Sequence, residues 1–134
     1  MIILPKKERK FGLVDGKLFP CPKKHYCVST QSDQRDKVNY IEPIKYNIPM
    51  EEAIIKLKNI IKSLERTKLL KEDGNYLHYL FITKLFRFKD DVEFLFDDNE
   101  KLIHFKSQSR IGGYDWDTNR KRMENIRNLF LSEK

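Results

Sequence analysis

The stretch VEFLFDDNEKLIHFKS, residues 92–107, determines the fold because it predicts a β-hairpin. If Asn99 and Glu100 form its loop, one face of the hairpin is apolar and the other carries the opposite charges of Glu93 and Lys106. A shift of one residue would mix the two faces, so the alternation favours this register. On the apolar face Phe96 is then opposite Ile103, Phe94 opposite Phe105 and Val92 opposite Ser107.

Three further strands and two helices flank this hairpin in the sequence. Each helix has one apolar stripe that needs a sheet face for its burial, and short connections join the strands that follow the first helix. We therefore expect an α+β domain with an antiparallel sheet of about five strands, in the order strand-helix-four strands-helix, with two helices packed on one face. The predicted strands are 40–46, 67–72, 76–85, 92–96 and 102–105, and the predicted helices are 49–65 and 118–131.

The chain of 134 residues is long enough for one domain. Residues 1–37 hold three of the five prolines and little hydrophobic periodicity, so we predict an irregular N-terminal arm at 1–37 and a single α+β domain at 38–134. An aromatic fraction of 12% argues against a disordered chain. No apolar run approaches the roughly 20 residues that cross a bilayer, and no signal-peptide core is visible, so a cytoplasmic protein is expected.

The net charge of +7 is concentrated at the two ends of the chain. Residues 1–37 carry nine basic and four acidic side chains, and residues 118–134 carry five and two. Clustered Lys and Arg make nucleic acid or an anionic membrane candidate partners. Because no basic motif interleaved with aromatic residues is present, solvated basic edges are the favoured interpretation and nucleic-acid binding is not expected.

Cys21 and Cys27 are the two cysteines, and His25 lies between them. A reducing compartment would keep them as buried thiols. The alternatives are a disulfide or redox pair, and a metal site in which His25 joins both cysteines, although such a site lacks a fourth ligand at the usual spacing. We therefore expect no metal and no cofactor, and the sequence leaves open whether the two cysteines are joined.

The predicted second helix begins with cations, where the helix macrodipole favours anions. Arg120 and Arg122 lie in its first turn, together with Lys121. Internal ion pairs are the favoured compensation, and a bound anion at the helix start is the alternative. The candidates for structural ion pairs are Asp90, Asp91, Asp115, Arg87, Glu93 and Lys106, and the candidates for contact with an anion or ligand are Ser109, Arg110, Tyr114, Asn119, Arg120 and Arg122.

Several separated motifs resemble one known family. They lie at 20–22 (Pro-Cys-Pro) with 27–31, at 40–44, at 85–94, at Ser109-Arg110 and at 119–122 (Asn-Arg-Lys-Arg). From about residue 20 to 131, this pattern resembles the domain-of-unknown-function family 1499. The resemblance implies no activity, substrate or catalytic residue, but it implies that the cysteine pair belongs to the family pattern. It also implies relatives that are exported, membrane-attached or plastid-targeted, although no such segment is visible here.

Three hypotheses for the function belong to different classes. The first is a non-catalytic binding module for a small apolar or amphipathic ligand with an anionic group, because the predicted strand 76–85 is apolar on both faces. The alternative is a protein–protein assembly or scaffold subunit that docks through an exposed aromatic face. The second alternative is an enzyme that uses a cysteine thiol, or Glu93 with His104 as an acid–base pair. The chain carries no familiar catalytic motif, so an enzyme is least favoured, and the oligomeric state is not predicted.

Overall fold

The protein is described by a computed structural model, which covers residues 2–3, 10–113 and 115–132. The described elements are mixed α and β, and apart from a two-residue strand at Ile111–Gly112 the elements after residue 37 keep the predicted order of one strand, a helix, four strands and a helix. In chain order they are β1 (Ile2–Ile3), β2 (Leu13–Val14), β3 (Lys17–Leu18), β4 (Cys27–Ser29), β5 (Ile44–Lys45), α1 (Met50–Lys62), β6 (Thr67–Asp73), β7 (Tyr76–Ile82), β8 (Lys89–Asp97), β9 (Leu102–Ser109), β10 (Ile111–Gly112) and α2 (Thr118–Ser132).

The main sheet is antiparallel, with the strand order β4-β9-β8-β7-β6, and β5 also pairs with β9. The predicted hairpin register is confirmed, since Glu93 pairs with Lys106 and Phe94 with Phe105. β4 lies inside the predicted arm and adds a sixth strand at the edge of the sheet. The predicted strand 40–46 is shorter than expected: it forms a strand only at Ile44–Lys45, directly after Pro43, which has no N–H to donate, and Tyr40 makes an isolated parallel bridge with Ser29.

Helix α1 begins after Pro49 and covers one face of the sheet. Its first turn carries Glu51 and Glu52, whose charges suit the positive end of the helix dipole. Its buried side chains recur at helical spacing, so a single stripe packs on the core. Those residues are Ala53, Leu57, Ile60 and Ile61.

One hydrophobic core lies between the two helices and the sheet. Alternate residues of β8 and β9 supply its sheet side, and Phe94 and Phe105 are fully buried there. Met123 and Ile126 of α2 are fully buried against them. Burial of each such side chain contributes about 1.5–3 kcal/mol, so this layer is the main source of stability.

The opposite face of the sheet is covered by residues 10–20, which we call the arm segment. Within it, β2 and β3 form a short antiparallel hairpin. Leu18 packs with Tyr76 and Leu95 in a small second cluster, and the ring of Phe11 lies 4.8 Å from that of His78. Both sheet faces are therefore covered, one by helices and the other by irregular chain.

The predicted strand 76–85 ends early, and residues 83–88 form a loop that we call loop 83–88. The backbone N–H of Thr83 donates to the carbonyl of Phe88 at 2.8 Å, and the N–H of Phe88 donates to Thr83 Oγ1 at 2.8 Å. Arg87 adopts a positive φ of 59° inside this closed loop. The strand therefore stops at Ile82, and the apolar residues after it project outward.

No helix in the described part of the chain is both long enough and apolar enough to cross a membrane.

Candidate functional site

Two adjacent carboxylates at the start of β8 lie on opposite faces of the sheet. Asp90 belongs to the helix-covered face, Asp91 belongs to the face under the arm segment, and each is 1% exposed. Successive side chains of a strand alternate between its faces. The Asp-Asp pair therefore places one polar cluster on each side of the same strand.

On the helix face, Arg122 of α2 holds Asp90. Its Nη2 lies 2.5 Å from Asp90 Oδ2, and its Nη1 donates to Ser107 Oγ at 3.1 Å. Burial raises the pKa of Asp90, and the charge of Arg122 opposes that rise. One of the cations in the first turns of α2 is thus compensated by a carboxylate of the sheet.

Asn119 is the centre of this cluster and is fully buried. Its Oδ1 accepts hydrogen bonds from Ser107 Oγ at 2.6 Å and from Arg122 Nη1 at 2.9 Å. Its Nδ2 donates to Ser109 Oγ at 2.9 Å and to Asp115 Oδ2 at 2.7 Å. A single buried amide therefore joins the start of α2 to β9 and to the loop before the helix.

Asp115 acts at the helix start as a hydrogen-bond acceptor. Its Oδ2 accepts from the backbone N–H of Asn119 at 3.2 Å, and its Oδ1 accepts from the N–H of Asp117 at 2.9 Å. These bonds satisfy backbone donors that the first turn of a helix leaves without partners. Asp115 thus stabilises the helix start by accepting from N–H groups, and it has no ion-pair partner among the described residues.

On the other face, Arg110 holds Asp91 through two bonds. Arg110 Nε lies 2.8 Å from Oδ2 and Nη2 lies 3.0 Å from Oδ1, while His78 Nε2 lies 2.8 Å from the same Oδ1. Burial would raise the pKa of Asp91, but the hydrogen bonds from His78 and Arg110 outweigh it and hold the pKa below its ordinary value. This arginine is therefore already engaged by a carboxylate.

The Arg110→Ala substitution tests this pair through pH. At neutral pH we expect it to lower the free energy of unfolding by roughly 1–3 kcal/mol, because a buried carboxylate loses two charged donors. Because the pKa of Asp91 is lowered in the folded protein, its ionised carboxylate stabilises the fold at pH values above its ordinary pKa of 3.8. This stabilisation is lost as the pH falls through the folded-state pKa. Urea unfolding of the unmodified protein and of Arg110→Ala should therefore give free energies of unfolding whose difference shrinks below about pH 4.

Arg35→Ala is the matched control, because Arg35 also makes a two-bond pair, with Asp33, but its side chain is 90% exposed. Water and salt screen such a pair, so this substitution should leave stability unchanged at every pH. If the loss of stability caused by Arg110→Ala stayed constant down to acid pH, Arg110 would not act through the charge of Asp91.

Glu93 and Lys106 form an ion pair that is sealed under the arm segment. Lys106 Nζ lies 3.3 Å from Glu93 Oε1 and donates to the carbonyls of Lys10 and Phe19, each at 3.1 Å. Glu93 Oε2 accepts from the backbone N–H of Gly12 at 2.7 Å. Burial lowers the pKa of Lys106, and the charge of Glu93 opposes that change. The hydroxyl of Tyr76 also donates to Glu93 Oε2, and burial raises the pKa of Tyr76.

The two cysteines are joined in a disulfide in this structure. Cys27 lies on β4 and is fully buried, whereas Cys21 is half-buried in the connection from the arm segment. The Cα atoms are 5.7 Å apart. Of the three states that the sequence left open, the structure adopts the bridged one, which fastens the arm segment to the edge of the sheet.

The most apolar concave surface is a cleft of about 480 Å³ between loop 83–88 and the segment 109–118. Three larger depressions, of about 520, 750 and 1040 Å³, are more open, and polar atoms make up a larger share of their lining. The cleft is therefore the better candidate for a small-molecule site. Its apolar lining consists of Leu85, Phe86, Phe88, Ile111 and Trp116.

The floor of the cleft is polar. Asp90 and Ser109 line it, and Asp90 Oδ1 has no hydrogen-bond partner among the described residues, although the Ser109 hydroxyl lies near the carboxyl and helps to lower its pKa. The other oxygen of Asp90 is held by Arg122. The site thus combines apolar walls with a buried carboxylate oxygen at its floor, beside the Ser109 hydroxyl.

The remaining predicted site residues are placed apart from this floor. Arg120 donates to the carbonyl of Val38 at 3.0 Å. Arg87 lies in loop 83–88 and has no ion-pair partner among the residues that the structure describes. Tyr114 lies outside the described residues.

The acid–base pair of the enzyme hypothesis is not assembled. His104 Nδ1 lies 2.9 Å from Thr30 Oγ1, whereas Glu93 contacts Lys106, Tyr76 and Gly12. The hairpin register causes this separation, because it pairs His104 with Leu95 and Glu93 with Lys106. The thiol version of the hypothesis likewise has both sulfurs occupied by the disulfide.

Loop 83–88 is the part of the site that sequence reasoning missed. Its apolar residues continue the alternation of β7 and therefore predict more strand. The run Leu85-Phe86-Arg87-Phe88 was a usable signal for a loop. As a strand it would place apolar side chains on both faces, whereas a sheet with one buried face needs them on one face only.

The profile of one protein family matches residues 17–130, and its description is "Protein of unknown function (DUF1499)". No curated protein and no solved structure matches the chain.

Proposed function

Because the chain belongs to the DUF1499 family, whose description assigns no activity, we propose from the site geometry that it is a non-catalytic binding module for a small amphipathic ligand. The observation that carries the proposal is the cleft itself, with apolar walls and a buried carboxylate oxygen that has no partner among the described residues. Its volume of about 480 Å³ lies inside the range of roughly 300–1,000 Å³ that is usual for ligand sites.

The walls support an apolar ligand body. Leu85 is 80% exposed and Phe86 65% exposed, and both line the cleft. Removing such apolar surface from water is favourable at about 25 cal/mol per Å². An aliphatic or aromatic group that fills the cleft would cover side chains that the chain itself leaves in water.

The floor supports a hydrogen-bond donor as the polar end of the ligand. Arg110 and Arg122, which were expected to contact an anionic group, are held by Asp91 and Asp90. Among the described residues, Asp90 Oδ1 has no hydrogen-bond partner, and we assign it as the acceptor for the ligand. A hydroxyl, amide or amine fits this floor, and an added carboxylate would be repelled by it.

A series of ten-carbon ligands with different head groups tests the proposal. Trp116 lies at the cleft and is the only tryptophan of the chain, so its fluorescence reports on occupancy. We expect decanol and decylamine to shift its emission to the blue and decanoate to bind more weakly by roughly tenfold or more, the equivalent of one unsatisfied polar contact. Native mass spectrometry of protein purified from its own host would show a co-purified ligand.

Two variants sharpen this experiment. Phe88→Ala removes part of the wall and should weaken all three ligands, whereas Ile55→Ala removes an exposed apolar side chain of α1 that does not line the cleft and should change none. Tightest binding by decanoate would contradict the assignment of the floor. If the molecular mass in solution grew with protein concentration and no ligand shifted the Trp116 emission, the scaffold alternative would be favoured.

A further inference from the structure

The three most exposed large apolar side chains of the described chain lie together at the mouth of the cleft. They are Leu85, Trp116 and Phe86, at 80%, 75% and 65% exposure, and we call them the cleft rim. Single exposed apolar residues are common, but a contiguous group marks an interaction surface. The rim therefore needs an explanation beyond packing within this chain.

The loop that presents this rim is held in shape. Thr83 and Phe88 close its base with two hydrogen bonds of 2.8 Å, and the rings of Phe86 and Phe88 stack with their centres 5.3 Å apart. Leu85 and Phe86 are thus held outward by a closed loop. A surface that is ordered before contact loses less conformational entropy when it binds.

Three cations of loop 83–88 and the start of β8 are neighbours of the rim in the sequence. Lys84, Arg87 and Lys89 are exposed, and none of the three has an ion-pair partner within the described ranges. Of the carboxylates beside the cleft, Asp90 is paired with Arg122 and Asp115 accepts hydrogen bonds at the start of α2, while Asp117, next to Trp116, is exposed. The apolar rim is therefore bordered by three exposed cations and one exposed carboxylate, which leaves a net positive charge.

We propose that the cleft rim docks on the surface of an anionic lipid bilayer. Leu85, Phe86 and Trp116 enter the interfacial layer, where tryptophan is favoured, and Lys84, Arg87 and Lys89 lie at the level of the anionic headgroups. The lysines favour a bilayer over a protein partner, because lysine is depleted at the centres of protein interfaces. This docking does not require a ligand in the cleft, so it stands apart from the proposed function.

Vesicle sedimentation of the full chain tests the docking. We expect binding to phosphatidylcholine vesicles that contain phosphatidylserine and little binding to phosphatidylcholine alone. Leu85→Ser/Phe86→Ser and Lys84→Glu/Arg87→Glu should each reduce binding by roughly 10- to 100-fold, the first through lost insertion and the second through reversed charge. Phosphatidylcholine brominated on its acyl chains, mixed with phosphatidylserine, should quench Trp116.

Matched variants separate this surface from general effects of charge and exposure. Lys17→Glu/Lys45→Glu makes the same change in net charge at exposed positions near the far, hairpin end of the sheet, and Ile55→Ser removes an exposed apolar residue of α1. Both should bind vesicles like the unmodified protein. Equal losses in the rim and control variants, equal binding to neutral vesicles, or a dimer formed through the rim without vesicle binding would each overturn the proposal.

Discussion

Lys106→Met is expected to lower the free energy of unfolding by about 3–5 kcal/mol, because it leaves Glu93 charged and buried without its cation. Glu93 is fully buried, and Lys106 is 1% exposed. The substitution also removes the donor that the carbonyls of Lys10 and Phe19 share. Urea unfolding at neutral pH measures the loss.

The double variant Glu93→Gln/Lys106→Met provides the control. A neutral glutamine still accepts hydrogen bonds from Gly12 and Tyr76, and a methionine of similar volume fills the space of the lysine. Replacing a buried ion pair with neutral groups is often close to neutral for stability. The double variant should therefore be more stable than Lys106→Met alone, and a double variant that is no better would mean that the loss comes from packing or from the carbonyls of Lys10 and Phe19 rather than from the charge of Glu93.

Asn119→Ala is expected to cost about 3 kcal/mol or more, because it leaves several buried polar groups without partners at once. Ser107, Ser109 and Asp115 each lose a hydrogen bond to this side chain. Ser109 and Asp115 also line the cleft, so the same variant should weaken ligand binding there. Thermal unfolding and the Trp116 fluorescence titration measure the two effects.

Asn125→Ala is the matched control for that substitution. Asn125 belongs to the same helix but faces water, and an exposed substitution of this kind changes stability by no more than about 0.5 kcal/mol. Equal stability of the Asn119→Ala and Asn125→Ala proteins would refute the role of Asn119 as the centre of the cluster.

The hairpin was predictable because its evidence is local. Strand side chains alternate with a period of two, so the sequence alone pairs Glu93 with Lys106 and Phe94 with Phe105, and the structure has these pairs. The apolar stripe of α1 was predictable for the same reason, with a period of 3.6. These features depend on the spacing of side-chain types within a few residues.

The packing of the arm segment on the second face of the sheet was not predictable, because backbone groups of the arm segment make the hydrogen bonds that hold it there. Lys106 and Glu93 contact the main chain of Lys10, Gly12 and Phe19, and these contacts do not depend on the side chains at those positions. Loop 83–88 escaped prediction in a similar way. Its closure depends on Thr83, five residues before Phe88, and on a positive φ at Arg87, for which a non-glycine residue gives no signal.

The contacts of the arm segment have a consequence for how fragments of this protein should be cut. The family match begins at residue 17, yet Lys10 and Gly12, which supply backbone groups to the buried ion pair, precede it. A fragment trimmed to the matched region would admit water to Lys106 and Glu93 and lose part of what closes that face. The contacts that close this face of the sheet therefore begin upstream of the boundary that sequence similarity marks.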